Sequence, residues 1–73
     1  MGKSDYAVVI EPLSEEDGGG FLATVPDLPG CASDGDTRED AARNIEDAIA
    51  SWIEEATALG RDIPTPRRAL RIA

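Results

Sequence analysis

The sequence contains no histidine and a single cysteine, Cys31, and these two shortages exclude several kinds of chemistry. Without imidazole, the chain lacks the commonest general base, every catalytic triad that uses histidine, and the ligand found in most zinc sites. One cysteine cannot form an internal disulfide, which favours a reducing compartment. Because no base accompanies Cys31, we expect it to be a small buried hydrophobic residue rather than a nucleophile.

Long apolar runs are also absent. No stretch approaches the roughly 18 residues needed to span a membrane, and no signal peptide precedes the first predicted strand. The 73 residues are enough for one small domain, residues 1–73. A domain of this size buries only about 60% of the surface that its unfolded chain exposes, so self-association or a partner would stabilise it. We therefore expect a single cytoplasmic domain that forms a homo-oligomer.

Basic residues are scarce in most of the chain. Residues 1–60 carry 14 acidic and three basic side chains, a net charge of −11, whereas residues 61–73 carry four arginines and one aspartate, a net charge of +3. A body this acidic repels nucleic acid phosphates and is steered toward a basic protein. The alternative is that the acidity only keeps a small protein soluble.

Two strands are predicted in the first third of the chain. Residues 5–11 alternate with period two and are apolar on both faces at their centre, which is typical of a central strand. Pro12 ends this strand, and the acidic turn of residues 14–20, with its three consecutive glycines, follows. Residues 21–25 then alternate again, which predicts a second strand that pairs antiparallel with the first.

A tight corner is predicted after the second strand. Pro26 and Pro29 lack amide protons, so residues 25–29 cannot pair continuously in a sheet. Gly30 provides the torsion freedom that a sharp reversal needs. A short third strand over about residues 31–36 is expected to follow.

Apolar residues then recur at three- and four-residue spacing, which predicts a helix over residues 38–59. Thr37 is the expected N-cap, and Gly60 is placed just beyond the C-terminal end. Trp52 lies in the apolar stripe, so it is expected in the core with its indole N–H bonded or at a wet edge. Residues 69–72 could form a fourth, edge strand.

The predicted element order is β-β-β-α-β. It indicates a two-layer α+β fold in which a three-stranded antiparallel meander carries one long helix on one face. An exposed sheet edge in so small a domain invites pairing with another chain.

Carboxylates are the only abundant groups that could carry catalysis. Asp27, Asp34 and Asp36 cluster near the corner, and Glu11 ends the first strand. Clustered carboxylates on a sheet can hold Mg²⁺, so a metal-dependent nuclease is one hypothesis, although the three aspartates also fit turns. A second hypothesis is an orphan oligomeric domain that regulates some other basic protein.

The run Pro-Asp-Leu-Pro-Gly-Cys at residues 26–31, placed between a glycine turn and the helix start at residues 35–37, resembles the HicB-like antitoxin family. The similarity covers about residues 5–66. It implies a partial ribonuclease-H-like fold without the catalytic carboxylates of that fold, and hence no enzymatic activity and no cofactor. It also implies a partner, a small basic HicA-type toxin that cleaves mRNA and whose active face the antitoxin covers.

The residues expected to meet the toxin follow from charge and position. Leu28 and Pro29 are expected to be exposed apolar anchors at the corner. The acidic candidates for contact with lysine and arginine are Asp27, Asp34, Asp36, Glu15 and Glu16. Many family members carry a C-terminal DNA-binding domain, but only seven residues follow Pro66 here. We therefore expect no such domain and no direct binding of nucleic acid, the alternative being that the sequence is part of a longer chain.

Overall fold

A three-stranded antiparallel sheet with one helix across one face makes up the computed structural model of the protein, which describes residues 6–66. The elements are β1 (Val9–Pro12), β2 (Phe21–Thr24), β3 (Ala32–Gly35) and α1 (Arg38–Ala58). The strands pair in the order β1-β2-β3, each antiparallel to its neighbour. The predicted α+β meander with one long helix is confirmed, and the predicted fourth strand at 69–72 lies outside the described residues.

The sheet register separates an inner face from an outer face. Ala23 of β2 is fully buried and lies opposite Ile10 of β1 on one side and Ser33 of β3 on the other. Successive side chains of a strand point to opposite faces, so Leu22 lies on the outer face between Glu11 and Asp34. The helix covers the inner face alone.

The first strand is shorter than predicted and differently placed. It begins at Val9 rather than at residue 5, and it lies at the edge of the described sheet, where β2 is the central strand. The residues predicted to form a further strand, 69–72, lie outside the described range, so the expectation of a central first strand stays a prediction. The strand has apolar residues on both faces, but those on the outer face are not all buried: Val9 is 42% exposed.

Local capping interactions define both ends of α1. The Thr37 Oγ1 atom accepts a hydrogen bond from the Asp40 backbone N–H at 3.0 Å. At the other end, the Gly60 N–H donates to the Thr57 carbonyl at 3.1 Å, and the Arg61 N–H donates to the Ala56 carbonyl at 2.8 Å. This pair of bonds is a Schellman motif, so the predicted N-cap and C-terminal glycine are both confirmed.

The core lies between α1 and the inner face of the sheet, mainly over β2 and β3. The helix contributes Ala41, Ile45 and Ile49, which repeat every four residues and therefore share one face. The sheet and its connections contribute Tyr6, Ala23, Val25, Leu28 and Cys31.

Two glycines allow backbone to contact backbone where α1 begins. A Cβ atom at Gly35 would lie 2.5 Å from the Ala41 nitrogen and 2.6 Å from the Asp40 Cβ, closer than atoms can approach. A Cβ atom at Gly20 would lie 2.6 Å from the Gly35 carbonyl oxygen. The β1–β2 connection, the end of β3 and the first turn of α1 are therefore held together by their main chains.

Candidate partner-binding site

The corner between β2 and β3 consists of two successive β-turns. The Leu28 N–H donates to the Val25 carbonyl at 3.0 Å, and the Cys31 N–H donates to the Leu28 carbonyl at 3.0 Å. A proline occupies the second position of each turn, where its fixed φ is suitable. Gly30, at the third position of the second turn, has a φ of +81°, as a type II turn requires. The Val25 N–H closes the corner by donating to the Cys31 carbonyl at 3.2 Å.

Leu28 is fully buried, with 0% of its surface exposed. The expectation that it is an exposed anchor at the corner was wrong. The shared residue of two turns can face inward or outward, and here Leu28 joins the apolar cluster below the helix. Pro29, the next residue, is exposed, so it alone of the two can be an apolar contact for a partner.

Trp52 connects the corner to the helix. Its Nε1–H donates a hydrogen bond to the Pro29 carbonyl at 2.9 Å, and its half-buried ring packs against the core. The indole N–H was expected to have a hydrogen-bond partner or a wet edge, and its partner is the main chain of the corner. This bond fixes the orientation of Pro29 relative to α1.

Replacing Trp52 by phenylalanine is expected to lower the free energy of unfolding by about 1 kcal/mol or more, since the bond to Pro29 and one of the two fused rings are lost. The corresponding fall in melting temperature is about 4–8 °C for a domain of this size. Circular dichroism during thermal unfolding measures it, with Ser51→Ala at the neighbouring exposed position as the control. An unchanged melting temperature would mean that this bond does not stabilise the corner.

The end of the sheet opposite to the corner, where β1 connects to β2, is strongly acidic. One turn of 3-10 helix, Glu15–Asp17, lies in the β1–β2 connection, where the Ser14 Oγ accepts from the Asp17 N–H at 3.2 Å. The glycines that follow this turn line an open cavity of about 330 Å³ together with carboxylate residues of β3 and α1. We call this surface the acidic end; its carboxylates are Glu15, Glu16, Asp17, Asp34, Asp36 and Asp40.

The tertiary structure therefore separates the seven residues predicted to meet a partner. Four of them belong to the acidic end: Glu15, Glu16, Asp34 and Asp36. Asp27 and Pro29 lie at the corner, beyond the other end of β2, and four strand residues span about 14 Å. Leu28 belongs to the core.

Two polar contacts of α1 support the acidic end. The Asn44 Nδ2 donates to the Asp34 carbonyl at 2.8 Å, which ties the helix to β3. Arg43 forms an exposed ion pair with Asp40 one turn before it. Sequence reasoning placed neither Asp40 nor Asn44 in the site, although their four-residue spacing puts both on one helix face next to the capping residue Thr37.

The described residues offer little for metal or thiol chemistry. In the range 6–66, no group of three or more His, Cys, Asp or Glu residues is arranged to hold a metal ion. Cys31 is buried, as predicted, and burial raises the pKa of its thiol above the ordinary value. A raised thiol pKa reduces the thiolate fraction at neutral pH, so Cys31 is poorly suited to nucleophilic attack.

None of the helices within residues 6–66 is long and apolar enough to cross a bilayer.

Comparisons with known proteins identify one matching family model and several similar proteins. The family model described as "HicB_like antitoxin of bacterial toxin-antitoxin system" matches residues 6–72. A UPF0150 protein of Synechocystis sp. is 42% identical over 60 residues, which cover 82% of this chain and 72% of that protein. A UPF0150 protein of Thermoplasma acidophilum is 36% identical over 59 residues, 81% of each chain. Antitoxin HicB 1 of Photorhabdus laumondii is 36% identical over 61 residues, which cover 84% of this chain and 37% of that protein.

Proposed function

Because the chain belongs to the HicB-like antitoxin family of bacterial toxin-antitoxin systems, we propose that it is a non-enzymatic antitoxin that binds a small basic toxin ribonuclease of the HicA type. The match to the family confirms the resemblance that residues 26–31 indicated. In this proposal the antitoxin acts in the cytoplasm by covering the surface that the toxin uses for RNA.

We choose the acidic end as the toxin-binding surface because its carboxylates lie close together. A ribonuclease that binds mRNA presents lysine and arginine to phosphates, and an acidic protein surface can compete for the same groups. The close contact of Gly20, Gly35 and the start of α1 holds the backbone of the acidic end in place. A surface that is already ordered loses less conformational entropy on binding, which favours affinity.

The corner is the second contact that we propose. Asp27 and the exposed Pro29 lie there, and the hydrogen bond from Trp52 to the Pro29 carbonyl fixes their position relative to α1. A partner that reaches both the acidic end and the corner must cover a length of the sheet of about 14 Å or more. In this proposal, a contact of that length lies over the toxin surface that would otherwise bind RNA.

The double substitution Asp34→Asn with Asp36→Asn tests the acidic end. We expect the Kd for the toxin encoded by the neighbouring gene to rise about 10- to 100-fold, mainly through slower association, because steering between opposite charges is weakened. Surface plasmon resonance at two salt concentrations measures both rates. The control is Glu54→Gln with Glu55→Gln, which makes the same change in net charge on exposed positions of the helix.

If both double variants lose the same affinity for the toxin, only net charge matters, and the acidic end is not part of the contact. If the neighbouring gene encodes no small basic protein and none binds, the antitoxin proposal fails and the orphan-domain hypothesis is favoured. Cleavage of RNA by this protein in Mg²⁺, abolished by the Asp34 and Asp36 substitutions, would instead support the nuclease hypothesis.

A further inference from the structure

A small cavity lies on the surface at the C-terminal end of α1. It has a volume of about 190 Å³ and is lined by Trp52, Glu55, Ala56, Leu59 and Arg61. We call these five residues the terminal patch. Ala56 is buried, the Trp52 ring is half-buried, and the two charged residues are exposed. The patch therefore has an apolar floor and a charged rim.

Leu59 is the most exposed large hydrophobic residue among residues 6–66, with 60% of its surface in contact with solvent. Single exposed apolar residues are common on protein surfaces and need no partner. Leu59, however, lies beside a tryptophan ring in a concave surface. Tryptophan is among the residues that contribute most to binding between proteins, so this arrangement is typical of a contact surface.

The charges of the terminal patch favour one kind of occupant. Neither Glu55 nor Arg61 forms an ion pair within residues 6–66. One acid and one base make the patch neutral, although the chain has a net charge of −8. A neutral patch does not select a basic partner, and it is where two copies of an acidic chain repel each other least.

A second copy of the chain supplies the complementary charges. In a two-fold symmetric contact, each residue of the patch meets the same residue of the other copy in the reciprocal position. Glu55 and Arg61 lie on either side of Leu59 along the chain. Two patches that face each other with their helices antiparallel therefore place each Glu55 opposite the Arg61 of the other copy.

From the cavity, the exposed leucine and the reciprocal charges, we propose that the terminal patch joins two copies of this chain in a two-fold symmetric dimer. Leu59 of each copy fills the cavity of the other, against Trp52. The acidic end lies near the start of α1, whose 21 residues span about 30 Å, so it stays exposed in the dimer. This inference does not depend on the proposed antitoxin function, and its surface differs from the sheet edge.

Sedimentation equilibrium of the full chain measures the dimer. Because the patch is small, we expect a reversible dimer with a Kd of about 10–100 µM. Leu59→Ser is expected to raise this Kd at least about tenfold, since it removes the apolar side chain that fills the cavity. The control is Val9→Thr, at an exposed apolar position of the sheet, with an expected change of about twofold or less. Circular dichroism checks that both variants are folded.

An exchange of charge between copies tests the pairing itself. Glu55→Arg and Arg61→Glu, as separate variants, each place like charges across the contact, so each is expected to dimerise at least about tenfold more weakly. Mixed in equal amounts, the two variants restore both opposite-charge pairs, and we expect a heterodimer with a Kd within about threefold of the natural one. Native mass spectrometry distinguishes this heterodimer from the two homodimers.

Net charge alone predicts a different result for this mixture. Glu55→Arg makes the chain less acidic, so repulsion between whole chains would make its homodimer the strongest of the three. The matched control mixture replaces Glu55→Arg by Glu54→Arg, which makes the same change of charge at an exposed position that does not line the cavity. We expect no preference for the heterodimer in that mixture.

Each remaining outcome contradicts the proposal. A natural chain that stays monomeric at about 500 µM has no such dimer. A dimer that Leu59→Ser leaves unchanged is held by another surface, such as the sheet edge. A mixture of the charge variants without a preferred heterodimer rules out the reciprocal pairing. The antitoxin proposal is tested separately, because the variants of the acidic end leave the terminal patch unchanged.

Discussion

Gly35→Ala is expected to lower the free energy of unfolding by about 3 kcal/mol, at the upper end of the usual cost of overpacking. The new methyl group would lie 2.5 Å from the Ala41 nitrogen and 2.7 Å from the Asp40 carbonyl carbon. These are main-chain atoms of a helix, so no side-chain rotation can remove the conflict. The whole start of α1 would have to move away from β3, which would also break the Asn44 contact to Asp34.

Urea denaturation followed by circular dichroism measures this effect. A core of this size rarely supplies more than about 3–5 kcal/mol, so the variant is best measured with a stabilising osmolyte present throughout. Ser33→Ala on the same strand is the control and is expected to change the free energy by less than about 1 kcal/mol. Near-native stability of Gly35→Ala would show that α1 and β3 are not in backbone contact.

Leu28→Ala is expected to lower the free energy of unfolding by about 3–4 kcal/mol, the combined cost of lost burial and the cavity that remains. Leu28 is among the largest fully buried side chains of the described residues, together with Ile45 and Ile49. It is also held on both sides by turn hydrogen bonds, so the corner cannot collapse easily into the space. A residue in a surface corner is thus expected to behave like a residue of the helix core.

Pro29→Ala is the matched control, one position further along the same corner. Its side chain is exposed, and the carbonyl that accepts from Trp52 belongs to the main chain and is retained. The expected loss is about 1 kcal/mol or less, from the greater freedom of the unfolded chain. If Pro29→Ala destabilised the domain more than Leu28→Ala, the structural assignment of surface and core at the corner would be wrong.

The helix could be predicted almost to the residue because the interactions that define it are local. The Thr37 cap and the bonds of Gly60 and Arg61 each join residues at most five positions apart. The two turns of the corner were indicated by proline and glycine for the same reason. The inward position of Leu28 could not be predicted in this way, because it depends on where α1 lies relative to the corner.

The sequence by itself determined the order of the three strands and the helix, the caps, the turns and the acidic character of the body, since each follows from neighbouring residues or from composition. Only the tertiary structure decided which acids share a surface, because strand register and helix packing bring together residues such as Gly18 and Asp34. It also placed the helix mainly over β2 and β3, with β1 at the edge of the sheet that residues 6–66 form. Contacts between distant residues depend on how whole elements pack together, and local pattern does not contain that information.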